Sequence, residues 1–169
     1  MDELYKKRIR RDLENLMKMT DFVLFINESP VLPRVNEIIF QNEKFTWKVF
    51  LTGPANTPYE GYKWIVKIDF PKDFPMKAPN INFETKIFHP NISYETGTLF
   101  LLNDENTDQP DSWNPSLTTV DLFKKIKVLL TGQPNLSQPL NSVALTLFKK
   151  KSGYPEKVRS YVEEHAIKK

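Results

Sequence analysis

The chain has 169 residues, a formal net charge of +3, 40% hydrophobic and 27% charged residues, and no cysteine. That length suits one domain, here residues 1–169, able to bury about two-thirds of its unfolded surface without disulfides or metal. The composition excludes a disulfide scaffold, a cysteine zinc site and any thiolate mechanism, and the small positive charge is no nucleic-acid signature by itself.

Residues 2–19 place Tyr5, Ile9, Leu13, Leu16 and Met17 at spacings of three and four, which predicts a helix with one apolar stripe. Lys6, Lys7, Arg8, Arg10 and Arg11 fall mostly on its other faces, either as a solvated surface or as a docking face for an acidic partner. No apolar run follows these charges, so the start is expected to be neither signal peptide nor anchor, with a cytoplasmic or nuclear address. Segments 22–27 and 36–41 read as strands. In 44–53 and 62–70, Phe45, Trp47, Val49, Leu51 and then Trp64, Val66, Ile68, Phe70 alternate with polar residues. Two such segments joined by the turn-rich GPANTPYEG predict an antiparallel meander with one buried face.

Prolines 71, 75 and 79 then predict an extended connection before a short strand at 80–85. Thr118 or Thr119 is positioned to cap a helix over 120–132, with Leu122, Ile126, Leu129 and Leu130 as its core stripe and Gly132 at its stop. Two further helices are expected at 138–151 and 154–169, with Pro139 and Pro155 in their first turns. The expected fold is therefore α+β: a four-stranded antiparallel meander with an N-terminal helix, a central helix and two C-terminal helices.

GPANTPYEG, FPKDFPMKAP, IFHPNI, WNPSL and QPNLSQPLN occur in this order over nearly the whole chain. Together they resemble the catalytic core of ubiquitin-conjugating enzymes. The acidic loop after Leu102 and the ending PEKVRSYVEEH look closest to the neddylation-type members. In that family a cysteine eight residues after the Asn of His-Pro-Asn, inside Gly-x-x-Cys, carries the modifier as a thioester. Here GTLF puts Phe100 in its place, while counting from Asn91 selects Leu99; the one-residue difference marks an insertion. Leu102 stands where the family often has an Asp, and Gln138 where an acidic residue precedes Pro-Leu. The resemblance thus implies a vestigial site of His89, Pro90, Asn91, Phe100, Leu102 and Gln138, with no catalytic residue, metal or cofactor.

Asn91 matches the oxyanion-stabilising amide of active relatives, but without an acyl group its expected role is to bond backbone. His89 lacks any partner at metal-ligand spacing, and His165 is no candidate. Ser93, Thr96 and Thr98 have no base to activate them. Apolar side chains at 99–102 are expected to fill the emptied groove. The family's ligase and activating-enzyme contacts map onto Lys6, Arg10, Phe70, Met76, Asn114 and Pro115, although Phe70, in phase with Trp64, Val66 and Ile68, equally fits the core.

The expected function is that of a pseudoenzyme: a binding or regulatory partner for an active conjugating enzyme, a ligase or an activating enzyme, with ubiquitin or a ubiquitin-like modifier as a further partner and no membrane. The alternatives are an active conjugating enzyme whose cysteine was replaced by engineering, and a nucleic-acid-binding module using the basic first helix.

Overall fold

The structure, a computed structural model, describes residues 3–16, 18–19, 23–25, 45–99, 113–132, 134–136 and 138–168. Its elements run α1 (Glu3–Leu16), β1 (Val23–Phe25), β2 (Phe45–Thr52), β3 (Tyr62–Phe70), β4 (Asn80–Phe83), α2 (Thr119–Thr131), α3 (Ser142–Lys150), α4 (Tyr154–His165) and β5 (Ile167–Lys168). The architecture is α+β, with an antiparallel sheet in the order β1-β2-β3-β4. The strand expected at 36–41 lies outside the described residues, as does Met17.

Alternation sets the register. Val49 pairs with Val66, Leu51 with Trp64 and Trp47 with Ile68, while Val66 and Ile68 pair in turn with Phe83 and Ile81. All of these side chains are buried on one face, because successive residues of a strand project to opposite sides. The other face carries pairs such as Lys48–Glu84 at 3.0 Å. Tyr5, Ile9, Leu13 and Leu16 of α1, Leu122, Phe123, Ile126 and Leu130 of α2, and Val158, Tyr161 and Val162 of α4 complete a single core.

Three boundaries differ from the expectation. α2 begins at Thr119 with Thr118 as its cap, in a reciprocal box in which Asp121 bonds back to the Thr118 backbone. α3 begins at Ser142 rather than 138: Asn141 caps it, and the N–H groups of Leu140 and Asn141 are donated to Pro90 O at 2.8 and 2.9 Å. Pro139 therefore precedes the helix, whereas Pro155 does sit in the first turn of α4. α4 stops at His165, and Ile167 and Lys168 pair with Lys63 and Tyr62 as β5. Among the described residues no helix is long and apolar enough to cross a membrane.

The turn over 93–97 returns the chain to the sheet through bridges Asn82–Thr98 and Ile92–Leu99. Gly97 lies there at φ +69, and a Cβ on it would stand 1.9 Å from Phe83 O. A backbone carbonyl cannot step aside as a flexible side chain would, and the left-handed conformation adds strain. Gly97→Ala is expected to cost more than about 2 kcal/mol, read as a fall in urea midpoint; an unchanged midpoint would show that this turn is free to move.

Candidate functional site

His89, Pro90 and Asn91 form a buried tripeptide that reaches three later segments at once. The His89 ring receives the Asn91 N–H at Nδ1, 3.0 Å away. An accepting Nδ1 places the imidazole proton on Nε2, which lies 3.2 Å from Leu129 O near the end of α2 and donates to it. Pro90 O holds the approach to α3. The amide nitrogen of Asn91 donates to Asn135 O at 2.7 Å and to Gln138 O at 3.1 Å, and its oxygen accepts the Asn135 N–H at 2.9 Å. Both amide hydrogens are thus committed to backbone carbonyls. The expected backbone-bonding role of Asn91 is observed, but on a loop 44–47 residues away rather than on its own. Tyr59 adds a further tie by donating its hydroxyl to Phe88 O at 2.9 Å.

Of the two positions matched to the family's cysteine, only Leu99 lies among the described residues. Leu99 is only 7% exposed and belongs to the core. Phe100, Leu101 and Leu102 lie outside the described residues, and the filled-groove expectation lies there with them. Ser93 Oγ accepts the Thr96 N–H, and the Thr96 hydroxyl donates to that of Thr98 at 2.9 Å. These hydroxyls serve the turn, and among the described residues none has a basic partner. Gln138 is exposed and takes part in the frame through its backbone oxygen. No cluster of three or more metal-ligating side chains occurs among the described residues.

The candidate docking residues divide. Phe70 is 3% exposed, its ring 4.5 Å from that of Trp47 and 5.0 Å from that of Phe74. It is core, as its phase in β3 allows, and offers a partner no surface. Met76 is 70% exposed; Asn114 and Pro115 are exposed, and Lys6 and Arg10 are half-buried on α1. Arg8, assigned only to a charged face by sequence, ties these segments together. Its guanidinium donates to Asp12 at 3.0 Å, to Pro115 O at 2.6 Å and to Leu117 O, and stands 5.4 Å over the Phe74 ring. Asp12 in turn accepts the Thr119 N–H and hydroxyl at 2.9 and 2.8 Å. Trp113 closes the circle by donating its indole N–H to Pro75 O at 2.7 Å. The signal for this lock was present in the sequence as a carboxylate, Asp12, inside an apolar stripe.

The sheet order, the tripeptide frame and its ties to α2 and α3 define a ubiquitin-conjugating fold. The ubiquitin-conjugating enzyme family matches residues 8–162, and the chain belongs to that family. It is 34% identical over 164 residues to the Saccharomyces cerevisiae ubiquitin-conjugating enzyme E2-24 kDa, covering 96% of this chain and 66% of the yeast protein. A protein of Acanthamoeba polyphaga mimivirus, named as a probable ubiquitin-conjugating enzyme, is 36% identical over 123 residues, or 72% of this chain and 74% of the viral one. Among solved structures, a Plasmodium yoelii protein described as a candidate ubiquitin-conjugating enzyme shares the fold with a TM-score of 0.77 at 24% identity, covering 100% of this chain and 99% of the other. A Toxoplasma gondii ubiquitin-conjugating enzyme domain does so with a TM-score of 0.66 at 26% identity, covering 92% and 97%.

Burial lowers the His89 pKa from 6.5 to about 4, the bond to Leu129 opposing the shift only in part. As pH falls, the unfolded chain therefore takes up this proton first. The contribution to stability is complete above about pH 6.5 and is lost progressively towards pH 4. Between pH 7 and 5 the loss from His89 is expected to be about 2 kcal/mol. His89→Gln should be less stable at pH 7 and show a shallower decline over that interval; parallel stability curves for the two proteins would exclude a neutral buried imidazole.

Proposed function

We propose that this chain is a non-catalytic member of the ubiquitin-conjugating family that works by binding. It would act as a regulatory partner of an active conjugating enzyme, a ligase or an activating enzyme in a ubiquitin or ubiquitin-like pathway of the cytoplasm or nucleus. The observation that carries this reading is the absence of cysteine from all 169 residues, since a thioester needs a thiolate. Supporting it, Asn91 has no amide hydrogen left for an oxyanion. The preserved asset is the platform of α1, the Met76 loop and the Asn114–Pro115 turn, held together by Arg8. Because the backbone carrying Met76 is already fixed, docking there has to order the side chain but not the loop.

Mixed with activating enzyme, ATP and any modifier, the chain should show no adduct that disappears on reduction. Phe100→Cys should charge slowly or not at all and should not discharge to free lysine. An oxyanion requires a donor about 3 Å away, and a misplaced one costs about a hundredfold; Leu102 and Gln138 provide no carboxylate to receive the lysine proton. If Phe100→Cys charges and discharges at rates typical of its active relatives, the chain is an enzyme deprived only of its sulfur.

Binding of a cognate ligase or conjugating enzyme should weaken on charge reversal at Lys6 and Arg10 and on Met76→Ala. The charge effect should fade above about 0.3 M salt, where screening acts within a few ångströms, and the Met76 effect should persist. Affinity indifferent to all three substitutions, measured by calorimetry, would remove this platform from the interface.

A further inference from the structure

The corner between α3 and α4 carries a charge run that neither the frame nor the platform uses. Lys149 and Lys150 end α3, Lys151 is its C-terminal cap, and all three are exposed. None of them forms an ion pair among the described residues. The negative dipole end of α3 accounts for cations in its last turn. It gives no reason for the hydroxyl that follows them.

That hydroxyl belongs to Ser152, which stands exposed at the tip of the corner. Its neighbours Lys151 and Gly153 both take left-handed backbone, at φ 53 and 76, and a Cβ on Gly153 would meet no atom within 4 Å. The space around the tip is open. Most other described serines are engaged: Ser93 Oγ accepts the Thr96 N–H, Ser116 Oγ donates to Asn114, and Ser160 Oγ donates to Lys157 O at 3.1 Å. Only Ser142 and Ser152 leave the side chain without a hydrogen bond among the described residues. Ser142 follows Pro-Leu-Asn and has no cation on that side, whereas Ser152 follows three. Ser160 also follows cations, Lys157 and Arg159, but it lies inside α4, which is pinned to the core by Val158, Tyr161 and Val162.

An enzyme with an acidic substrate cleft reads such a run by charge complementarity, provided that the acceptor segment can extend into the cleft. The end of α3 allows this. Within that helix only Ala144 is buried, and the contact given up on opening its last turn is that of the Phe148 ring with Tyr154, 5.3 Å apart. A turn that buries so little opens at small cost.

We propose that Ser152 is a phosphorylation site for a Ser/Thr kinase that selects cations on the N-terminal side of its acceptor. The Ser152 Oγ attacks the γ-phosphorus of ATP, the bond from that phosphorus to the β-phosphate oxygen breaks, ADP leaves, and the hydroxyl proton passes to the kinase's catalytic carboxylate. At pH 7 the product adds a charge of about −1.5 to −2. The ammonium groups of Lys149, Lys150 and Lys151 then become its charge-assisted donors. The inference does not depend on the function proposed above, because it rests on the exposure and charge of this corner alone.

The test incubates the folded full-length chain with ATP and two kinases of this charge preference, the catalytic subunit of cyclic-AMP-dependent protein kinase and the catalytic fragment of protein kinase C. The modified residue is mapped by tandem mass spectrometry. Phosphate should appear on Ser152 and vanish with Ser152→Ala, while Ser142→Ala leaves it unchanged. Lys149→Glu combined with Lys150→Glu should slow the reaction at least about tenfold, since carboxylates then face an acidic cleft; Lys149→Arg with Lys150→Arg should retain the rate. These positions are all exposed, so the variants should melt with the parent chain. No label with either kinase, label on Ser142 or Ser160 in place of Ser152, equal labelling by an acidophilic casein kinase, or a rate indifferent to the charge reversal would overturn the proposal.

Discussion

The neutral imidazole of His89, held between the Asn91 N–H and Leu129 O, is the constraint on which the geometry of the site rests. It fixes the turn that aims the Asn91 side chain at residues 135 and 138 and leaves Pro90 O facing the start of α3. Three consecutive residues thereby secure the end of α2, the connection after it and the entry to α3. The His89 and Asn91 side chains are themselves buried, and a buried polar group that loses its partner carries a penalty of about 1–3 kcal/mol. A tripeptide so placed is held by stability alone, whatever chemistry the neighbouring position supports.

At the α1 side the corresponding device is charged. Arg8 is partly buried, and Asp12 is fully so. Together they satisfy two carbonyls and two donors that would otherwise end at the loop before α2. Charge-assisted bonds of this kind are roughly twice as strong as neutral ones. Breaking the pair by removing one member would leave the other charge uncompensated. The result is that α1, the Phe74–Met76 loop and the Trp113–Leu117 turn are tied into one surface, with Met76 projecting from it and Phe70 sunk beneath it.

The sheet was legible in the sequence because period two is a strong signal when one face is buried: Trp47, Val49 and Leu51 against Trp64, Val66 and Ile68 is the register observed. The same phase contained the answer for Phe70, which a family contact map alone would have left at the surface. Helix ends were less legible. The start of α3 depends on Pro90 O, 50 residues earlier, claiming the N–H groups of Leu140 and Asn141, and no local pattern reports that. β5 escaped notice because two residues carry no periodicity. For the site, the His-Pro-Asn motif marked the frame, but its partners Leu129, Asn135 and Gln138 are tertiary and supply backbone atoms, which sequence does not distinguish. The Arg8 lock was half visible, since a carboxylate amid Tyr5, Ile9, Leu13 and Leu16 requires a partner.

Frame and platform rest on one core but are held by different polar bonds. The tripeptide bonds α2 and the approach to α3, the Arg8 lock bonds α1 and the loops at 74–76 and 113–117, and among the described residues their hydrogen bonds share only α2, one at each end. Among the described residues no bond of the Arg8 network passes through 93–99, so loss of a thiol beside the frame would remove a reaction without breaking that network. A chain in which chemistry and docking are held by different bonds can lose the first and keep the bonds of the second. On the non-catalytic reading proposed above, that separability would let the docking surface keep its bonds when the reaction is lost.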